Sequence, residues 1–96
     1  MKEEDFLKGI DEVHTICREI AKKKNHDYGD NNLTKFGTRG VLIRMNDKIE
    51  RLNNLWDNPH IEVADEKMLD TVYDLINYAT YMAMMLSGKW DKWVKK

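Results

Sequence analysis

Ninety-six residues, 42% of them hydrophobic and 34% charged, suffice for a single small domain. A formal net charge of -1 excludes a chain that holds nucleic acid by bulk electrostatics, which needs a clear basic excess. The lone Cys17 excludes an internal disulfide, and no run of about 18 uninterrupted apolar residues is present to span a membrane. Because MKEEDFLKGI has no apolar core of the signal-peptide kind, a cytoplasmic protein is expected. A core this small gains from association, so a homodimer or higher homo-oligomer is expected as well.

In chain order, the first element is an amphipathic helix from about residue 3 to 23. Phe6, Ile10, Val13, Cys17 and Ile20 recur at intervals of four, three, four and three, and Lys22, Lys23 and Lys24 suit its last turn. From Asn25 to Gly40 the density of asparagine, aspartate and glycine predicts a loop of roughly 15 residues, long enough to be functional. It carries the run Lys24, Asn25, His26, Asp27, Tyr28, Gly29, Asp30. Here Gly29 permits a turn with positive φ, Tyr28 offers a flat face for a base, and Lys24 can reach a phosphate. The plain alternative is a tyrosine that plugs the end of the bundle beside acids that cap turns.

A second helix is predicted from Thr38 or Gly40 to Trp56, with Leu42, Met45, Ile49, Leu52 and Trp56 as its apolar stripe, ended by Asp57, Asn58 and Pro59. Its exposed side alternates charge: Arg44, Lys48 and Arg51 form a cationic row beside Asp47 and Glu50. Simple surface pairing would make each such pair worth about 0.2 to 0.5 kcal/mol. A third helix is predicted from the stretch 61–65 to Leu86, stopped by Ser87 and Gly88, and a short tail carries Trp90 and Trp93.

The third helix is the most unusual element, because Glu66, Asp70, Asp74 and Asn77 lie at spacings of four, four and three along one face of an otherwise apolar segment. Acids on so greasy a helix are expected to face a cation. One candidate is an ion pair with Arg44, Lys48 or Arg51. The other is a hard divalent metal held jointly with Asp47 and Glu50 from the second helix.

Three blocks in order, KNHDYG, FGTRGVLIRMNDKIERL and DEKMLDTVYDLINYA, resemble the phage and bacterial family called nucleotide modification associated domain 1. The matched positions are Lys24, Asp27, Tyr28 and Gly29; then Arg44, Met45, Asp47, Lys48, Arg51 and Leu52; then Asp70, Asp74, Asn77 and Tyr78. In layout the chain is also similar to the all-α nucleoside triphosphate pyrophosphohydrolases of the MazG and dimeric dUTPase type. Those enzymes hold Mg²⁺ with an ExxE pair on one helix and an ExxD pair on a later antiparallel one. The nearest equivalents are Asp47-x-x-Glu50 and Asp74-x-x-Asn77, and the second departs from the pattern by placing an amide where an acid belongs.

The expectation is therefore one all-α domain over residues 1–96, a small antiparallel bundle of three main helices with a MazG-like layout, completed by oligomerisation. The resemblance implies Mg²⁺-dependent cleavage of a nucleoside triphosphate, canonical or modified, with Mn²⁺ as a substitute metal, in host cytoplasm if the chain is phage-encoded. Asp47, Glu50, Asp70 and Asp74 would hold metal, with Glu66 and Asp70 as the catalytic carboxylates. Lys24, Asp27, Tyr28, Arg44, Lys48, Arg51 and Asn77 would contact the nucleotide. Two alternatives stand beside it: a non-catalytic nucleotide-binding or nucleotide-sequestering protein, and a protein-interaction module docking through Trp90 and Trp93.

Overall fold

The computed structural model describes residues 1–28, 33, 35–58 and 60–94, with the side chains of Asp27, Tyr28 and Val94 outside the description. Its elements are helices α1 (Glu3–Tyr28), α2 (Gly37–Asp57), α3 (Ala64–Leu86) and the short α4 (Trp90–Val94). Among the described residues there is no strand, and no helix is long and apolar enough to cross a membrane.

The first helix runs about one turn and a half further than its composition predicts. Asn25, His26 and Asp27 belong to α1 and not to a loop. Each is only a weak helix former, costing a few tenths of a kcal/mol relative to the best, and no glycine or proline intervenes before Gly29. Residues 29–32 and 34 of the expected loop lie outside the described residues. The starts and ends of α2 and α3 fall where their breakers place them.

Two glycines of FGTRG have a backbone reason. Gly37 sits at φ +62, in the left-handed region that glycine enters freely, and a Cβ on Gly40 would lie 2.6 Å from that of Phe36. The Gly40 amide donates to the Phe36 carbonyl at 3.2 Å, so the tight turn opens α2. Before α3 the chain passes through Val63 at φ 56, an unusual conformation for a β-branched residue that reverses the backbone within the short link from Asp57 to Ala64.

That link folds α3 back along α2. Thr38 meets Met85 and Lys48 meets Asp74, so residue numbers rise along one helix as they fall along the other. Val41 and Leu55 from α2 and Ala64 and Thr71 from α3 are buried in or beside this seam. Helix α1 rests on a different side of α3 through Cys17, which is 3% exposed. There the buried Asn77 amide donates to the Cys17 carbonyl at 2.9 Å, tying α3 to α1.

Helix α3 is not enclosed on all sides. Leu69 and Leu86 are 51% and 71% exposed and Val72 is 36% exposed, leaving a third side of α3 uncovered. Two neighbours, α1 and α2, cannot enclose a helix whose apolar residues spread almost all round.

Candidate functional site

The acid row of α3 separates into two parts with different surroundings. Glu66 and Asp70 are exposed, and Glu66 lies with Asp65 in the first helical turn, where a negative charge suits the helix dipole. Asp74 and Asn77 are covered. Only these two meet the other helices, because only this stretch of α3 lies between α1 and α2.

Asp74 joins all three main helices. Its Oδ1 accepts from Lys24 Nζ of α1 at 2.6 Å and its Oδ2 pairs with Lys48 Nζ of α2 at 3.2 Å. Burial pushes its pKa up, but hydrogen bonding and attraction from Lys24 and Lys48 outweigh burial and hold it below the ordinary aspartate value of 3.8. The ion-pair alternative for this acid is thus realised through Lys48. Lys24, expected at a phosphate, is also drawn to it, because the added turns of α1 carry it alongside α3.

The pair of lysines makes a prediction about stability. Since the folded pKa of Asp74 lies below its unfolded value, its contribution is present above about pH 4 and is lost as pH falls through the folded value. Asp74→Asn leaves two neighbouring ammonium groups without a counter-charge. Because Lys24 is half exposed, the expected cost is modest, about 1 to 2 kcal/mol, read as a fall in Tm of roughly 5 to 10 °C at pH 7. The gap between variant and parent should close below pH 4, and a gap that persists there would show that the lysines are not its cause.

Beside Asp74 lies an open groove of about 640 Å³ lined by Arg44, Asp47, Lys48, Glu50, Arg51, Asn54 and Tyr78. Six of these come from α2, where spacings of three and four bring them to one face, and Tyr78 comes from α3, one turn beyond Asp74. The groove thus gathers the cationic row, the two α2 acids and an aromatic ring. Arg51 makes no ion pair among the described residues. Tyr78 stands edge-on to Tyr81, with ring centroids 6.0 Å apart, and burial, then Tyr78 and Asp74, pushes the Tyr81 phenol up.

The residues expected from sequence are therefore partly gathered. Arg44, Asp47, Lys48, Glu50 and Arg51 share the groove. Asp74 borders it through Lys48. Asn77, expected beside a base or sugar, is 8% exposed and directs its amide to α1, so it ties helices together and does not line the groove. Asp27 and Tyr28 belong to α1, with side chains outside the description. Sequence reasoning passed over Tyr78 and Asn54 as groove residues. The signal for Tyr78 was its position four residues after Asp74, on the same face of α3.

Among the described residues the four carboxylates expected at a metal are not brought together. Asp74 is occupied by two ammonium groups, Asp70 is exposed on α3 away from the groove lining, and among the described residues no three histidines, cysteines, aspartates or glutamates are grouped to hold a metal ion. A cysteine nucleophile finds no support either: burial, then the charge of Asp74, pushes the Cys17 thiol up and keeps it protonated.

The groove thus sets three cationic side chains, two carboxylates and one aromatic ring side by side. Guanidinium and ammonium groups meet phosphate oxygens through charge-assisted hydrogen bonds, and an aromatic face adjoins them. Comparison with known proteins gave no match, whether to a family model, to a curated protein or to a solved structure.

Proposed function

We propose that this chain binds a nucleotide in the groove between α2 and α3. The observation that carries the reading is the joint lining of one groove by Arg44, Lys48, Arg51 and Tyr78. The arginines and Lys48 meet the phosphates, and Tyr78 lies against the base or sugar. Lys24 and Lys48, both held by Asp74, form a cationic edge to which a terminal phosphate adds as a second anion. The resemblance to nucleotide-associated families points the same way.

A second reading keeps the chemistry: Mg²⁺-dependent cleavage between the α and β phosphates of a nucleoside triphosphate, giving the monophosphate and pyrophosphate. What favours it is that Asp47 and Glu50 line the same groove as the cations. What weighs against it is that the remaining carboxylates of the expected set are exposed or engaged elsewhere. Binding without hydrolysis is therefore the leading function.

Calorimetric titration with canonical and modified nucleoside mono-, di- and triphosphates, in EDTA and in Mg²⁺, tests both readings. The leading one predicts saturable binding with Kd on the order of 10 μM that survives EDTA and weakens with salt. Pyrophosphate release that requires Mg²⁺ would move the function to the second reading. Absence of binding by every nucleotide in both buffers would overturn the two together.

A further inference from the structure

Helix α1 presents two adjacent rows of different fate. Ile10, Cys17 and Lys24, spaced by sevens, lie on the side that meets α3, where Cys17 and Lys24 make their contacts. Beside it run Phe6, Gly9, Val13, Ile16 and Ile20 at intervals of three, four, three and four, the spacing of a helix-to-helix seam. Among the described residues this second row is left largely open, with only Ile20 half-buried. Phe6 is 49% exposed, Val13 37% and Ile16 42%, and the space over Gly9 is open. On α3, Leu69, Val72, Ile76, Ala79, Ala83 and Leu86 repeat the same spacing on the side away from the Asp74 groove, with Leu69 and Leu86 among the most exposed apolar residues.

The surface of the chain matches this count of uncovered rows. A folded protein of 11.4 kDa is expected to expose about 5,800 Å². This one exposes 7669 Å², about a third more. Its radius of gyration is 15.2 Å, against roughly 12.5 Å for a compact domain of this length. The excess is of the size that one subunit buries in an obligate dimer, about 1,000 to 2,500 Å² per partner.

Charge supplies the occupant and its direction. At about 100° per residue the charged residues that flank this second row are Asp5 and Glu12 in the first half of α1 and Lys23 in its second, all exposed. Two such helices side by side in parallel would set acid against acid and base against base. Antiparallel, they set the acidic half of each against the basic half of the other, twice by symmetry.

We propose that a second copy of this chain covers the uncovered rows of α1 and α3 in a two-fold dimer, with the two α1 helices running antiparallel. The groove between α2 and α3 stays open on the other side of α3, so self-association stands independently of what fills the groove.

Sedimentation equilibrium of the full chain, with helicity followed by circular dichroism, tests this. The parent should sediment at twice 11.4 kDa at micromolar concentration. Val13→Glu with Ile16→Glu, and separately Leu69→Glu with Val72→Glu, should weaken the dimer by at least about 100-fold while keeping the helical spectrum, because all four residues are exposed in the single chain. Lys23→Glu should weaken it about fivefold, and adding Asp5→Lys in the same chain should restore it. A parent that stays at 11.4 kDa at about 100 μM, or a dimer indifferent to the glutamate pairs, would overturn the proposal. Failure of the reciprocal reversal to restore the dimer would overturn the antiparallel arrangement.

Discussion

Replacing Asn77 with aspartate is expected to destabilise the protein by about 2 to 4 kcal/mol, a large share of the roughly 5 to 15 kcal/mol that holds a small domain together. The position is 8% exposed, and its amide Nδ2 donates to the Cys17 carbonyl at 2.9 Å. An ionised carboxylate there has no proton to give and turns its charge on a carbonyl oxygen. Asn77→Ala removes the bond without adding the charge, so it should cost less, about 1 to 2 kcal/mol. In urea unfolding at pH 7 the order of stability should be parent, alanine, aspartate. Lowering the pH toward 5 should narrow the aspartate deficit, because burial raises its pKa and the protonated acid can donate again. An aspartate variant as stable as the parent at pH 7 would mean that the tie between α3 and α1 is not needed.

This also accounts for the amide in a row of acids. The pyrophosphohydrolase pattern that the chain resembles expects a carboxylate where Asn77 stands, and against that pattern the amide is a departure. In the fold the position is a donor to a backbone carbonyl on another helix, a demand that only a neutral amide meets among side chains of this size.

The second large effect is expected in the groove. Arg51→Glu should weaken nucleotide binding by about 30- to 100-fold, since it removes one charge-assisted contact and sets a carboxylate against phosphate. Arg51 makes no ion pair among the described residues, and its side lies open to the groove, so the variant should keep the Tm of the parent within a few degrees. Lys48 is a poorer choice for this test because it also holds Asp74. Tyr78→Leu keeps an apolar side chain against α2 while removing the stacking face, and a loss of about tenfold is expected. The affinity of both variants should show a shallower dependence on salt or base identity, respectively, than the parent.

How much of this was legible in the sequence varies from element to element. The all-α character and the limits of the second and third helices follow from spacing and from breakers such as Asp57 to Pro59 and Ser87 to Gly88. The end of α1 did not, because turn-forming residues at 25 to 27 carry too small a penalty to stop a helix whose Lys24 is fixed by Asp74. The cationic row of α2 was legible as one face. Tyr78 was passed over as a groove residue, since which side of α3 meets α2 is decided by packing and not by periodicity; the side chain of Tyr28, the aromatic residue expected at a base, lies outside the description. The same packing splits the acid row, giving Asp74 to two lysines and leaving Glu66 and Asp70 to solvent.

The central claim, that a nucleotide sits between α2 and α3, is tested most directly by a ¹⁵N-labelled titration read residue by residue. Adding the tightest nucleotide of the calorimetric panel should shift the amides around Arg44, Lys48, Arg51 and Tyr78 together, with one common Kd, and Arg51→Glu should suppress those shifts. Shifts confined to other parts of the chain, such as the uncovered rows of α1, or none at millimolar nucleotide (a Kd weaker than about 1 mM), would contradict it.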